Sequence, residues 1–250
     1  MSISSFLTKK FLKSLFFPAH NRGKALPKGL IRLLKKQPGF WDLPELPEIG
    51  SPLSNSGLIH DAQISISKKF NTKKCFFGVN GASGLIQSGI IAMANPGEYI
   101  LMPRNVHISV IKACALQNII PIFFDIEFSS VTGHYMPITK KWFTNVFNNI
   151  DFDNSKIAGV ILVSPYYQGY ATDLEPLIKI CHLHNLPVLV DEAHGSYFLF
   201  CENFNLATSA LRSKADLVVH SLHKSLNGLT QTAIIWHNGN LIEENRLIKS

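Results

Sequence analysis

The chain has 250 residues, 46% of them hydrophobic, 10% aromatic and only 16% charged. That balance excludes a disordered chain, and no apolar run reaches the ~18 residues of a membrane span. The net charge is +7, but residues 1–50 carry nine Lys/Arg against three Asp/Glu, and the remaining 200 carry fifteen against fourteen. The basic character therefore belongs to the N-terminal segment. With no nucleic-acid reader motif and no interleaved stacking aromatics, a solvated helix face suits it better than a nucleic-acid surface.

The first 55 residues form an arm distinct from the rest of the chain. Met1 to Phe17 is basic and acid-free, a composition shared with transit peptides, but Phe6, Leu7, Phe11 and Leu15 predict an amphipathic helix over 4–16. A second basic helix is expected over 27–36. The passage from Pro38 to Pro52 is expected to be extended, because Pro fixes φ and lacks a backbone donor.

From residue 56 onward, strand-length apolar runs alternate with helical segments. The runs are Cys75–Val79, Tyr99–Met102, Ile119–Asp125, Ala158–Ser164, Pro187–Asp191, Asp216–His220 and Thr232–Trp236. Helices are expected over about 57–70, 83–94, 107–117, 139–149, 173–184 and 206–212, with Asp173 as an N-cap. This alternation predicts an α/β domain: a mostly parallel seven-stranded sheet between helices. Ligands in such sheets bind beyond the carboxyl ends of the strands. Cys75, Cys114, Cys181 and Cys201 are far apart and lie among apolar neighbours, so we expect reduced, buried thiols in a cytoplasmic protein and no zinc site.

Four strand ends carry chemistry. After the first run comes Gly78-Val79-Asn80-Gly81-Ala82-Ser83-Gly84, which opens a helix as an anion cradle. A dinucleotide-enzyme reading of this turn lacks the Tyr-x-x-x-Lys that such enzymes use. After the second run comes Arg104-Asn105-Val106-His107, whose imidazole either caps a helix or faces a flat ligand. The fifth ends in Asp191-Glu192-Ala193-His194, and a carboxylate at that edge needs a cation or good donors. The sixth leads into Ser221-Leu222-His223-Lys224, and a lysine enclosed there is suited to Schiff-base chemistry. A phosphate cradle, a stacking ring, a carboxylate and a lysine in that order match the needs of pyridoxal 5'-phosphate.

These motifs, with Phe17-Pro18-Ala19-His20-Asn21-Arg22-Gly23 and Asp42-Leu43-Pro44-Glu45-Leu46-Pro47, resemble the Orn/Lys/Arg decarboxylase family over about residues 17–240. The resemblance implies a fold type I, aspartate aminotransferase-like large domain whose last strand runs antiparallel. It implies pyridoxal-phosphate-dependent decarboxylation of lysine, ornithine or arginine to a diamine or agmatine. Lys224 would be the Schiff-base lysine, Asp191 the partner of the ring nitrogen and His107 the stacking ring. Ser83, Ser221, His223 and the backbone N–H groups of Gly81, Ala82, Ser83 and Gly84 would hold the phosphate, and His194 would line the pocket. Ala82 stands where family members often carry a hydroxyl.

Family members run on for about two hundred residues past the lysine, whereas this chain ends 26 residues after Lys224. Residues 1–55 are therefore read as an arm and 56–250 as an incomplete cofactor-binding domain without its C-terminal domain. Homodimers or higher oligomers are implied, and a partner chain could supply the remainder. The rival readings are another fold type I reaction such as transamination, and an inactive chain or half of a split enzyme. Weak cofactor binding and little turnover are expected of the chain alone.

Overall fold

The computed structural model describes residues 17–40, 42–150, 156–201, 204 and 206–250. The N-terminal helix expected over 4–16 lies outside them. Helix α1 (Lys28–Leu34) is followed by a 3-10 turn at Pro38–Phe40 and a further turn around Pro47, so the Pro-rich passage is only partly extended. Helix α2 (Leu58–Lys69) then leads into the sheet.

Seven strands match the expected runs to within a residue or two: β1 (Lys74–Gly78), β2 (Tyr99–Pro103), β3 (Ile120–Phe124), β6 (Ile157–Val163), β7 (Val188–Asp191), β8 (Leu217–Ser221) and β9 (Ala233–His237). Their order is β1-β9-β8-β7-β6-β2-β3. In this sheet β9 runs against its neighbours, pairing antiparallel with both β1 and β8. A short hairpin of β4 (Phe128–Ser129) and β5 (His134–Tyr135) has no counterpart among the expected elements, because two-residue strands leave no periodic signal.

The side-chain period of two splits the core into two layers. Leu101, Val160, Leu162, Val188, Val190, Val218, Ile234 and Trp236 face one layer, shared with Phe143 of α5 (Lys140–Asn148) and with Leu174, Leu177 and Ile178 of α6 (Leu174–Leu183). Their neighbours Ile100, Met102, Ile161, Leu189, Leu217, Val219 and Ile235 face the other. That layer is filled by α3 (Gly81–Met93), α4 (Ile108–Leu116) and α8 (Glu244–Lys249). Helix α3 lies close on the sheet at Gly89, where a Cβ would stand 2.3 Å from Leu189 Cδ1. Thr139 caps α5 by accepting from the Trp142 N–H at 3.2 Å. Asp173 occupies the N-cap position of α6, but its side chain makes no capping bond.

The helix expected over 206–212 is absent: residues 206–209 are irregular and 210–214 form a turn. The reason is local. The Ala210 N–H donates to the Glu192 carboxylate at 2.9 Å instead of entering a helical ladder, and the Ser209 hydroxyl donates to the same group at 3.0 Å. Leu189, central in the sheet and fully buried, carries the α3 contact. Replacing it with alanine is expected to cost about 2–5 kcal/mol, read as a shift of the urea midpoint without a change of slope.

Candidate active site

The carboxyl ends of β1, β2, β6, β7 and β8 surround a cleft of about 370 Å³. Its lining includes Gly81, Ala82, Ser83, His107, Asp191, His194, Ser221, His223 and Lys224. Nine of the ten residues proposed from sequence thus share one cleft; Gly84, whose N–H was also expected to hold the phosphate, does not line it. Asn105, Tyr167 and Gln231 also line it, and sequence reasoning gave them no role. Asn105 belongs to the Arg104–His107 motif, whereas Tyr167 and Gln231 sit in loops with no local signature. A second cavity of about 340 Å³, around the start of β1, lies elsewhere on the molecule.

The cradle is the first turn of α3. Gly81 adopts φ +68°, and a Cβ there would meet nothing within 4 Å, so the glycine leaves open space on the cleft wall. Its N–H is already donated to the Gln231 carbonyl at 2.9 Å. This corrects the expectation that Gly81 offers its N–H to a phosphate. The N–H groups of Ala82 and Ser83 lie in the first helical turn, where no i−4 carbonyl is available, and they point along the positive end of the helix dipole. The bond from Gly81 to Gln231 ties this cradle to the loop before β9.

His107 is the N-cap of α4. Its Nδ1 accepts from the Ser109 N–H at 3.1 Å and lies 2.8 Å from Ser109 Oγ. The capping reading of this residue holds, and the ring also lines the cleft. Ser221 Oγ and His223 Nδ1 are 3.2 Å apart in the turn after β8. Helix α7 (Leu222–Ser225) is only one turn long and carries Lys224.

Lys224 Nζ lies 3.2 Å from His194 Nε2. Burial lowers the Lys224 ammonium from its ordinary value, against the opposing pull of the Asp191 charge. Burial likewise raises the Asp191 carboxyl, opposed by the Ala193 N–H at 3.1 Å and by the Lys224 charge. For both groups desolvation outweighs attraction. His194 is pushed down to about 4, first by burial and then by the charge of Lys224. Its ring meets the edges of Tyr167 and Phe17, with centroids 5.7 and 6.1 Å apart. The Ala19 N–H donates to the His223 carbonyl at 2.9 Å, so the chain around residue 19 reaches the cleft rim.

The model of the Orn/Lys/Arg decarboxylase major domain matches residues 17–250. The chain belongs to the Orn/Lys/Arg decarboxylase family. An arginine decarboxylase of Bacillus cereus is 31% identical over 218 residues, which is 87% of this chain and 46% of the relative. The family member thus spans about half the length of the curated relatives it matches. Among solved structures, the E. coli constitutive lysine decarboxylase aligns with TM-score 0.72 at 17% identity, covering 98% of this chain and 36% of that one. A structure described as SPT with PLP aligns with TM-score 0.54 at 21% identity, covering 71% and 41%. These likenesses establish the aspartate aminotransferase-like fold. Among the described residues no helix is long and apolar enough to cross a membrane, and no cluster of His, Cys, Asp and Glu could hold a metal ion. The four cysteines are free; three are buried and Cys201 is half-buried.

The depressed His194 sets a pH dependence. A histidine held at about 4 in the folded state binds fewer protons than the unfolded chain between that value and about 6.5. Its linkage therefore removes stability as pH falls from about 6.5 toward 4. Denaturation midpoints measured across this window are expected to fall less steeply in His194→Gln than in the parent.

Proposed function

We propose that this chain is the cofactor-binding part of a pyridoxal-phosphate-dependent decarboxylase acting on a basic amino acid. The observation that carries this reading is the meeting of Lys224, Asp191, His107 and the α3 cradle in one cleft, together with the family membership. The residues fit the cofactor in kind. The open space at Gly81 and the first-turn N–H groups suit a phosphate, and a partly desolvated lysine faces the same cleft as a buried carboxylate. When bound, pyridoxal phosphate supplies an aldehyde carbon and a ring that accepts an electron pair.

The roles of the protein groups follow from their chemistry. Lys224 Nζ, its charge disfavoured by burial, would be the amine that holds the aldehyde carbon. Asp191 would face the ring nitrogen and keep it protonated, although burial alone disfavours the carboxylate. A cationic ring N–H beside it would restore the charged form. His107 would lie against the ring. Ala82 and Ser83 N–H, Ser83 Oγ, Ser221 Oγ and His223 would take the phosphate. Decarboxylation breaks the bond from Cα to the carboxyl carbon, releases carbon dioxide and requires a proton in its place. Lys224 Nζ and His194 Nε2, 3.2 Å apart, are two groups in the cleft able to hold that proton.

Arginine, lysine and ornithine remain the substrate class, with arginine first in view of the relatives' names. The product would be agmatine or a diamine. About half of each such relative has no counterpart in this chain. We infer that the protein works as a homodimer or higher oligomer. Residues 1–55 are read as an arm and 56–250 as the cofactor-binding domain.

The test is release of carbon dioxide from carboxyl-labelled arginine, lysine and ornithine by protein supplied with pyridoxal phosphate, with glutamate and leucine as controls. Release confined to a basic amino acid is expected, falling about a hundredfold or more in Asp191→Asn. Keto-acid formation without carbon dioxide would favour the transamination reading. No reaction under single-turnover conditions would favour a chain that does not catalyse.

A further inference from the structure

Glu192 follows Asp191 directly, and the pleat sends their side chains to opposite sides of the sheet. Asp191 shares its side with Leu189 and the cleft, while Glu192 shares the side of Val190. The same alternation on β8 puts Ser221 on the cleft side, with Val219, and His220 on the Glu192 side, with Val218. Glu192 and His220 are both fully buried, and His220 Nε2 lies 2.6 Å from Glu192 Oε2.

The protons of this pair can be placed. Trp236 Nε1–H donates to His220 Nδ1 at 2.9 Å, so Nδ1 carries a lone pair and Nε2 carries the proton. His220 therefore donates to Glu192. The carboxylate also accepts from Ser209 Oγ at 3.0 Å and from the Ala210 N–H at 2.9 Å. A buried carboxylate with three donors is fully solvated by protein. These bonds join the end of β7, the end of β8, strand β9 and residues 209–210. The Ser196 hydroxyl, donating to the Ser221 carbonyl at 3.1 Å, fastens the same strand end.

We propose that Glu192 and His220 are positioning residues: a buried strut behind the cleft that fixes Asp191 on β7 against the Ser221–Lys224 turn on β8. The inference rests on the cofactor reading above for its functional readout. The strut touches neither cofactor nor substrate. It acts through the two residues one step along each strand, whose side chains do face the cleft.

Glu192→Gln is the direct probe, because it keeps shape and cannot keep the bonds. An amide must turn its NH₂ toward either the Ala210 N–H or the proton on His220 Nε2. Moving that proton to Nδ1 sets it against the Trp236 N–H. Every arrangement leaves two donors facing each other in a buried site. Ser209→Ala is the control, since it weakens the same carboxylate's surroundings but leaves the His220 and Ala210 bonds in place.

Three measurements are made: thermal stability without cofactor, pyridoxal phosphate affinity, and the visible circular dichroism of the bound cofactor at saturation. Both variants are expected to melt below the parent. Glu192→Gln is expected to weaken pyridoxal phosphate about tenfold and to change the sign or intensity of the visible dichroism. Ser209→Ala is expected to stay within about twofold of the parent in affinity and to leave the dichroism unchanged. Equal affinity and equal dichroism in folded Glu192→Gln would overturn the proposal, reducing the pair to a stability element. Should Glu192→Gln not fold, Trp236→Phe frees the His220 ring while keeping the packing. It is expected to weaken the cofactor about threefold or more, and parent-like affinity and dichroism there would overturn the proposal equally. Absence of any visible band in the parent would instead count against the cofactor reading.

Discussion

Two adjacent carboxylates at the end of β7 organise this molecule. Asp191 and Glu192 both leave water at the carboxyl edge of a sheet whose interior strands are largely apolar. A buried carboxylate is costly unless donors or a cation surround it, and the two residues meet that demand differently. Glu192 is satisfied within the protein by His220, Ser209 and Ala210. Asp191 has the Ala193 N–H and the field of Lys224, and burial still pushes it up. One carboxylate thus has three donors within the protein, and the other has the Ala193 N–H. The period of a β-strand makes this division possible, since consecutive residues cannot face the same side.

Much of the fold was legible because continuous apolar runs bounded by turn residues are the mark of a parallel sheet. All seven main strands were located from such runs, and the cleft residues stand just beyond their ends. Several of the failures share one cause: interactions distant in sequence override local pattern. The stretch 206–212 looks helical until Glu192 captures the Ala210 N–H. Gly81 looks like a free donor until the Gln231 carbonyl takes its N–H. Glu192 and His220 were passed over because a single polar residue closing a strand does not show which face it takes. The contact of Phe17 with His194 was equally hidden, since nothing local links residue 17 to residue 194.

Residues 17–19 are part of the cleft's surroundings. Ala19 bonds to the carbonyl of His223, one residue before Lys224, and Phe17 and Tyr167 flank the ring of His194. The lysine is thus approached from behind by the sheet and from the rim by the N-terminal segment. The exposed Tyr167 lines the same cleft, and the exposed Val79 and Ile108 are next in sequence to Asn80 and His107, which also line it.

The central claim is that Lys224 is the covalent anchor of the cleft. Protein mixed with pyridoxal phosphate, reduced with borohydride and digested, can be mapped by mass spectrometry for the modified lysine. The account predicts a single dominant label at Lys224, formed together with a visible absorbance band and lost in Lys224→Ala. Label scattered over surface lysines, and unchanged by that substitution, would contradict it.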